Sequence, residues 1–214
     1  TGSEKFAPGK RFGFFPSFSV GWRISEEPFM KKIQEAWLTN LKVRYSYGEV
    51  GSDKGAPRFN YIQLFESGDN VTFGKNQNVS YGPLYTEGSL AYHDATWETA
   101  VKQNLGIEMT LFRKLTASID LFKEDRTGIL MSRNSSAPWM GAGLPSVNIG
   151  KTKNHGLELE LGWNDKVGKD FSYFAKFNFS TSENRVVFKD DPNRLDDYLK
   201  AAGKPIGYQN KYLV

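Results

Sequence analysis

Residues 154–163 read NHGLELELGW, and this stretch decides the fold class. Leu157, Leu159 and Leu161 alternate with Glu158 and Glu160. Successive side chains of a β-strand point to opposite faces of the sheet, so the leucines share one face and the glutamates share the other. A water-soluble β-protein has this pattern when its apolar face covers a core. A transmembrane β-barrel has it too, with the apolar face toward lipid and the polar face toward the lumen.

Five more stretches show the same alternation of apolar and polar residues. They are SFSVGWRI (17–24), LKVRYSYG (41–48), VKQNLGIEMTLF (101–112), LTASIDLF (115–122) and FSYFAKFNFST (171–181). Alternation over this length is typical of strands that have one apolar face. The sequence therefore predicts an all-β protein with six antiparallel strands.

Aromatic residues cluster near the ends of the predicted strands, with aliphatic residues between them. The cluster members are Phe12, Phe14, Trp22, Trp97, Trp163, Phe171 and Tyr173. Lipid-facing barrels carry aromatic girdles at both membrane interfaces, so the distribution favours a barrel. Aromatic packing inside a β-sandwich is the alternative explanation.

The connections between the predicted strands alternate between long and short. Residues 49–96, 126–153 and those from about 183 onward form long polar segments, whereas 113–114 and 164–170 form short turns. Outer-membrane barrels have short periplasmic turns and long outer loops. We therefore predict an antiparallel transmembrane β-barrel segment, a partial barrel whose long loops are extracellular.

Two connections predict structure of their own. Residues 25–40 predict a short helix that begins near Pro28, with Phe29, Ile33 and Trp37 on one face, because proline and acidic residues suit the first turn. The long loop 49–96 contains FNYIQLF followed by NVTFGKNQNVSYGPLY, which predicts additional strands.

Composition excludes several classes of function. The 28 basic and 24 acidic residues give a net charge of +4, which is too balanced to indicate a nucleic-acid partner. The absence of cysteine excludes disulfides and thiolate zinc sites. His93 and His155 lack metal-ligand spacing, and Glu158 and Glu160 lie side by side on one strand rather than across a scissile bond. We predict no metal, no cofactor and no enzymatic activity.

Six longer phrases, in order, resemble the later barrel portion of SusC/RagA-type TonB-dependent transporters of Bacteroidetes. They are FAPGKRFGFFPSFSVGWRISEEPFM, LTNLKVRYSYGEVG, ATWETAVKQNLGIEMTLF, LTASIDLFKEDRTGILM, PSVNIGKTKNHGLELELGW and FNFSTSENRVV. A later GKPIG (203–207) also fits the family's pattern. Each phrase alone is a weak signal, but the ordered set is specific.

The resemblance implies an importer in the cell outer membrane, built as a barrel of about 22 strands around a plug. It implies a SusD-like surface lipoprotein over the outer mouth, energy supplied by the TonB complex, and oligosaccharide or, in some members, peptide substrates. The plug, the TonB box and the C-terminal strand have no counterpart in these 214 residues. We therefore expect residues 1–214 to be a fragment of a single barrel domain that contacts outer-membrane lipid.

Aromatic residues in the long loops are the candidate contacts for substrate or partner. They are Trp139, Tyr61, Tyr81 and Tyr85. Flat rings stack on sugar faces, and aromatic side chains are also enriched at protein interfaces.

The alternative function is that of a soluble glycan-binding or adhesive β-sandwich, in which the apolar strand faces form a core. The two interpretations differ in what covers Leu157, Leu159 and Leu161: lipid in a barrel, and a second sheet in a sandwich.

Overall fold

The computed structural model describes residues 1–31, 37–75, 79–133, 143–192 and 196–208. Its strands are β1 (Ser17–Arg23), β2 (Leu38–Ser52), β3 (Phe65–Phe73), β4 (Val79–Glu87), β5 (Glu98–Leu111), β6 (Leu115–Met131), β7 (Val147–Val167) and β8 (Phe171–Phe188). Short 3-10 helices span Ile24–Glu26, Pro28–Met30 and Asp197–Leu199.

The described strands form two antiparallel sheets. The larger sheet has six strands in the order β1-β2-β5-β6-β7-β8, and β3 pairs with β4 in a separate hairpin. The six strands predicted from alternation are confirmed, and so is the additional strand structure within residues 49–96. Neighbours in the large sheet are consecutive in the chain once the β3–β4 hairpin is set aside.

The register keeps the two faces of the large sheet chemically distinct across all six strands. One row of paired residues consists of Trp22, Val43, Ile107, Ile119, Leu159 and Phe179. The adjacent row points to the other face and consists of Gly21, Arg44, Gly106, Asp120, Glu158 and Ser180. These rows define the apolar face and the polar face of the sheet.

The apolar face is uncovered in the part of the chain that the structure describes. Val20 is 60 %, Leu121 45 % and Phe177 56 % exposed. Within the described ranges the buried apolar residues are Phe6, Leu38, Ala95 and Ala100, which are too few to form the core of a sandwich. Among the described residues, no helix is long and apolar enough to cross a membrane. The fold is thus a nearly all-β antiparallel sheet, and the barrel is not closed.

Tight turns mark one end of the sheet, which we call the short-turn end and define by residues 112–114 and 168–170. Lys114 N donates a 3.0 Å hydrogen bond to Leu111 O, and Phe112 and Arg113 have φ of 54° and 58°. Positive φ at both central residues matches the right-handed twist of a hairpin. The predicted turn at 113–114 is therefore confirmed, and the second turn is shorter than the predicted 164–170, because β7 continues to Val167.

At the opposite, long-loop end the strands extend well beyond their predicted limits. The prediction that residues 126–153 form a loop was wrong at both ends, because β6 continues to Met131 and β7 begins at Val147. β8 likewise continues past residue 183 to Phe188. These extensions mix charged and apolar residues without a continuous alternation, so the sequence alone does not show them as strands.

A bulge at Gly128 changes the face to which the last residues of β6 point. Thr127 pairs with Lys151, whereas Ile129 pairs with Gly150. Gly128 has φ of 69°, and a Cβ atom there would lie 3.2 Å from Trp97 O. Glycine adopts this conformation without the steric cost that other residues meet.

The connection between β1 and β2 differs from the predicted helix. Its described part forms the 3-10 turns Ile24–Glu26 and Pro28–Met30, and Pro28 does begin the second turn. Residues 32–36, which include Ile33, lie outside the described residues. Trp22 Nε1 donates a 2.8 Å hydrogen bond to Glu27 Oε1 and so ties the end of β1 to this connection.

A small aromatic cluster packs at the long-loop end. The ring of Phe6, which is 1 % exposed, lies 5.1 Å from the ring of Trp97, and Phe15 lies 5.6 Å from Trp97 on another side. Trp97 therefore belongs to a local core rather than to an exposed girdle, which corrects the sequence prediction for this residue. By contrast, Phe171 is 62 % exposed at the short-turn end, as a girdle requires.

Candidate functional site

The centre of the polar face carries an ion-pair network that spans three strands. Arg44 Nη2 on β2 donates hydrogen bonds of 2.7 and 2.8 Å to the two carboxylate oxygens of Asp120 on β6. Arg44 Nε lies 3.0 Å from Glu108 Oε1, a separation that makes an ion pair although the angle is poor for a hydrogen bond. Lys42 Nζ lies 3.6 Å from Glu108 Oε2. Charges of both signs therefore balance at the middle of this face.

Gly106 on β5 makes this network sterically feasible. It lies directly between Arg44 and Asp120 in the register. A Cβ atom at position 106 would lie 2.6 Å from Arg44 Nε and 2.8 Å from Arg44 Cγ and Cζ. Because Gly106 has no side chain, an open channel crosses β5 on this face. The Arg44 guanidinium passes through this channel and reaches Asp120 on β6.

A second network lies on the same face, nearer the long-loop end. Arg126 donates a 2.7 Å hydrogen bond from Nη1 to Glu98 Oε1 and a 2.8 Å bond from Nη2 to Glu124 Oε1. Lys102 Nζ lies 3.3 Å from Glu124 Oε2. The Glu98 side chain is only 12 % exposed, so Arg126 rather than water is its main polar contact. The network links β5 to β6 at the level where both strands extend beyond the aliphatic residues of the apolar face.

A cavity of about 1300 Å³ opens above this second network. Its wall includes Arg126, Asn184 and Tyr208. Part of the wall comes from the segment after β8: Val186 N donates to Lys204 O at 2.9 Å, and Gly203 N donates to Val186 O at 2.7 Å. Ile206 N donates to Asn184 Oδ1 at 2.7 Å. The segment that holds the GKPIG phrase is therefore hydrogen-bonded to β8.

The predicted tyrosine contacts lie on or beside the β3–β4 hairpin. Tyr81 and Tyr85 are 59 % and 68 % exposed, whereas Tyr61 is half-buried in the turn before β3. Tyr81 packs edge-on against Phe73 with ring centroids 5.6 Å apart. None of the three lines the cavity above Arg126. Trp139 lies outside the described residues.

Backbone hydrogen bonds fix the base of this hairpin. Gly88 N donates to Leu64 O at 2.9 Å, and Tyr92 N donates to Asn60 O at 2.7 Å. Leu90 N donates to Gly143 O at 2.9 Å, and this bond joins the hairpin base to the segment that precedes β7. The two long connections of the sequence thus meet at one place.

Side-chain contacts also secure the segment before β1 and the short-turn end. Ser3 Oγ donates a 2.7 Å hydrogen bond to Asp53 Oδ2, and this bond lowers the pKa of Asp53, with a smaller contribution from the nearby Lys5 ammonium. At the other end, the hydrogen bond from Lys114 Nζ to Asp165 raises the pKa of Lys114. Charged side chains therefore stabilise local contacts at both ends of the sheet.

The two histidines lie in different elements, His93 in the connection before β5 and His155 on β7. His155 Nε2 lies 3.9 Å from Glu183 Oε2 on the apolar face, one row beyond Leu157, and His93 lies in an exposed connection. Asp191 accepts backbone hydrogen bonds from Ala201 and Ala202. In the described ranges, no group of three or more histidine, cysteine or acidic residues is arranged to hold a metal ion.

Sequence reasoning missed the two ion-pair networks. Their signal is the register: once the turn at 112–114 pairs Leu111 with Leu115, Gly106 must oppose Asp120. The position of Gly106 between Arg44 on one side and Asp120 on the other can be read from the sequence only after these strand pairings are known.

The sequence of the chain matches a known family and several relatives. Residues 1–213 match the family described as TonB dependent receptor-like, beta-barrel. TonB-dependent receptor P39 of Formosa agariphila is 31 % identical over 216 residues, which cover 99 % of this chain and 20 % of that protein. TonB-dependent receptor SusC of Bacteroides thetaiotaomicron is 26 % identical over 207 residues, covering 95 % of this chain and 20 % of that protein.

Solved structures show the same fold. The RagAB peptide importer in the open-open state superposes with a TM-score of 0.71 at 21 % identity, covering 87 % of this chain and 19 % of that chain. The closed-closed state gives a TM-score of 0.70 at 22 % identity, with the same coverage. The chain therefore spans about a fifth of the length of the proteins that it matches.

Proposed function

Because the chain belongs to the TonB dependent receptor-like β-barrel family, we propose that residues 1–214 form one part of the barrel wall of a longer outer-membrane nutrient importer. The observation that carries this proposal is the uncovered apolar face, which stays in register across six strands. Barrels of this family are outer-membrane proteins, and the family comprises receptors and transporters rather than enzymes. A soluble β-sandwich is not favoured, since the described residues supply no second sheet to cover the leucines.

The aliphatic rows of the apolar face form a continuous band that ends at a row of polar residues. Its lowest row contains Leu115 and Trp163, and its highest aliphatic row contains Leu121 and Leu157. These rows lie six residues apart along β6, which corresponds to about 20 Å at ~3.3 Å per residue. The next row on this face holds Lys123, His155 and Glu183, so the change to polar residues is abrupt. The lipid-facing band of an outer-membrane barrel is about 25 Å tall and its strands are tilted by about 35–45°, so these aliphatic rows fill the middle of such a band. Tyr173 and Phe171 lie in the next rows of β8 toward the short-turn end, where an aromatic girdle is expected.

Lipid contact at Leu159 is the direct test of this proposal. A photo-crosslinking side chain placed at residue 159 of the full-length protein, in native outer membranes, is expected to couple to acyl chains. The matched control is residue 158, one position along β7, which faces the polar side and should give no lipid adduct. Protein–protein adducts at 159 together with lipid adducts at 158 contradict the proposed orientation.

We place the long-loop end outside the cell and the short-turn end in the periplasm. Short periplasmic turns and longer outer connections are general in these barrels. A protease site inserted after Gly82, on the β3–β4 hairpin, is expected to be cut on intact cells. The same site inserted after Gly168 should be cut only after the outer membrane is permeabilised. The reverse pattern contradicts this topology.

The imported nutrient in this proposal is an oligosaccharide, with a peptide as the second candidate. The relative named SusC supports the first candidate, and the RagAB structures, which are described as a peptide importer, support the second. A SusD-like surface lipoprotein is the proposed partner over the outer mouth. The TonB complex supplies energy through regions of the longer protein.

The β3–β4 hairpin and the segment that bears Trp139 are the proposed contacts with the lipoprotein or with the substrate beneath it. The hairpin exposes Phe65, Tyr81 and Tyr85, each more than half accessible. The base of the hairpin is hydrogen-bonded to Gly143, so the connection before β5 and the connection before β7 lie next to each other. Exposed apolar patches of this kind mark interaction sites.

Deletion of residues 59–85 tests this contact, because it removes the hairpin while leaving β2 and β5 intact. We expect the barrel to insert normally and the lipoprotein to co-purify in lower yield, or uptake to fall. The double substitution Tyr81→Ser and Tyr85→Ser is a milder version that keeps the backbone of the hairpin. Full uptake together with an undiminished lipoprotein complex after the deletion removes the proposed role of this hairpin.

A further inference from the structure

A patch of basic side chains lies on the apolar face of the sheet, just beyond its last aliphatic row. That row contains Leu121 of β6 and Leu157 of β7. The next rows toward the long-loop end bring exposed cations of β6, β7 and β8 together on the same face. They are Lys123, Lys151, Lys153 and Arg185, which we call the basic patch. A group of cations at the border of a hydrophobic face does not follow from strand alternation alone.

The register places like charges against each other within the basic patch. Lys153 is directly opposite Arg185 across β7 and β8. The Cβ atoms of such a pair lie about 4.5–5.5 Å apart, and like charges that are directly opposite destabilise a sheet. The arrangement therefore has a cost in stability that a bound anion would remove.

The neighbouring carboxylates neutralise only part of the patch. Arg185 Nη2 lies 2.5 Å from Glu183 Oε1, and Lys123 Nζ lies 2.8 Å from Asp125 Oδ2. Asp125 is also opposite Lys153 in the register, but its carboxylate pairs with Lys123. Within the described ranges, neither lysine that β7 contributes to the patch has a carboxylate within ion-pair distance. Positive charge is therefore left uncompensated on β7.

A cavity of about 230 Å³ opens at the basic patch. Its wall contains Lys153, His155, Glu183, Arg185 and Val187. The carboxylate in this wall is the one that already pairs with the guanidinium. Ammonium and guanidinium groups donate charge-assisted hydrogen bonds to phosphate oxygens, and an arginine can do so with two parallel bonds. The cavity therefore has the donors that a phosphate group requires.

The patch is confined to one part of one border of the apolar face. At the opposite border, toward the short-turn end, β8 carries Tyr173 and Phe171 instead of cations. On β1 and β2, at the same level as the patch, the rings of Phe18 and Tyr47 stack with centroids 5.7 Å apart. Basic residues thus collect on β6 to β8 at the long-loop border, where the rest of the border is aromatic. This placement indicates a local binding site rather than a uniform surface charge.

An occupant of the patch must contact hydrocarbon and cations at the same time. In the proposed orientation the aliphatic rows next to the patch face acyl chains, and the patch lies at the outer border of the lipid band. Long basic side chains at such a border keep their methylene stems on apolar surface while their charges reach the headgroups. A lipid with an anionic headgroup satisfies both conditions, whereas a soluble protein or a free sugar satisfies neither.

We propose that the basic patch binds the phosphate of a phosphorylated lipid in the outer leaflet, with Lys153 and Arg185 as its principal contacts. The phosphate oxygens accept hydrogen bonds from both side chains and so relieve their mutual repulsion. Lys123 and Lys151 lie on either side and add electrostatic attraction. The inference rests on the proposed orientation of the barrel wall and adds a lipid ligand to that proposed function.

The probe for this site is lipid A, a glycolipid that carries phosphate on its sugars. Fluorescently labelled lipid A is titrated with the full-length transporter in a neutral detergent, and fluorescence anisotropy reports binding. The double variant Lys153→Gln/Arg185→Gln should bind it about tenfold more weakly, as expected for the loss of charge-assisted contacts to one phosphate. The unmodified protein should show the same loss toward lipid A from which the phosphates have been removed. Its affinity for the intact lipid should fall as salt is added.

Lys166→Gln/Lys176→Gln is the matched control, because it removes the same charge from the same two strands but on the polar face. It should bind lipid A as the unmodified protein does. Heat-modifiable migration in SDS gels shows that each variant is folded, and the dephosphorylated lipid tests the site without any variant. Equal affinity of the folded double variant and the unmodified protein overturns the site, and so does equal binding of the dephosphorylated lipid. Displacement of lipid A by an equimolar amount of inorganic phosphate assigns the cavity to a free anion and overturns the lipid ligand.

Crosslinking at residue 159 separates failure of this site from failure of the proposed barrel wall. Lipid adducts at 159, together with an unchanged affinity for lipid A in the double variant, leave the wall in place and overturn the site. If residue 159 gives no lipid adducts, the proposed wall itself fails, and the lipid ligand fails with it.

Discussion

Gly106→Ala perturbs the centre of the polar face at a single atom. The added Cβ would lie 2.6 Å from Arg44 Nε, well inside van der Waals contact. Arg44 must therefore leave the channel over β5, and both hydrogen bonds to Asp120, of 2.7 and 2.8 Å, are lost. The Asp120 side chain is only 15 % exposed, so water replaces the guanidinium poorly.

The expected magnitude follows from two opposing effects. A hydrogen bond to a charged group contributes about 1.5–3 kcal/mol when it is buried, and the 40 % exposure of the Arg44 side chain reduces that contribution through solvent screening. Removing a glycine from a strand interior returns about 0.5–1 kcal/mol. We expect Gly106→Ala to lower the free energy of unfolding by about 1 kcal/mol.

Urea unfolding of the full-length barrel in detergent, followed by tryptophan fluorescence, measures this change. Gly21→Ala is the matched control, since it lies in the same row of the same face and its Cβ would be an ordinary 3.7 Å from Lys42 Cε. In an Arg44→Ala background Gly106→Ala should cost much less, because the clash with the Arg44 side chain is gone. Gly106→Ala that is as stable as the unmodified protein, with Arg44 present, refutes this account of the channel.

Three further predictions address the lipid face, the bulge and the segment before β1. Leu159→Arg at the middle of the band should cost about 2–4 kcal/mol and reduce the amount of heat-modifiable barrel in the membrane, whereas Glu160→Gln should insert normally. Gly128→Ala places a side chain at φ of 69° and should cost about 1 kcal/mol in the same urea assay, with Gly82→Ala, which has open space around it, as the neutral control. The pKa of Asp53 is lowered in the folded protein, so its contribution is complete above the ordinary value of 3.8 and is lost as the pH falls through the lowered value. The rate of pepsin cleavage near Phe6 should therefore rise in acid until it equals the rate measured for Asp53→Asn. Such a carboxyl titrates between roughly pH 5 and pH 2. A ratio of the two rates that stays constant over this range would count against the anchoring role of Asp53.

The sequence predicted the strands where apolar and polar residues alternate continuously and failed where that alternation breaks off. Leu157 to Trp163 alternate strongly, and β7 follows that signal. Its first residues, around Lys151 and Lys153, are charged on the exposed side and carry Thr152 and Asn154 on the other, so they read as a loop. They are strand because β6 pairs with them throughout, and pairing is a property of two segments rather than of one.

The candidate site was predictable to a lesser degree. Tyr81 and Tyr85 were predicted to lie in a long connection with strand structure of its own, and they lie on β4, whereas their contact with substrate or partner stays a prediction. The networks around Arg44 and Arg126 depend on residues that are 76 and 28 positions apart, so only the register brings them together. The prediction for Trp97 was wrong because a tryptophan near a strand end is equally typical of a membrane interface and of a local core. Only its contact with Phe6, which the structure shows, distinguishes the two.

The turn at residues 112–114 has a consequence for how the gene tolerates insertions and deletions. Because it pairs Leu111 with Leu115, this turn sets the register of β5 against β6. The pairing of the other strands of the sheet follows from that register. Adding one residue inside β6 would exchange Ile119 and Asp120 between the two faces and present carboxylates to hydrocarbon. Length variation among related sequences should therefore be scarce in the stretch that joins the turn to the band. It should accumulate instead beyond Gly128, where an extra residue is absorbed by the bulge and both faces meet water.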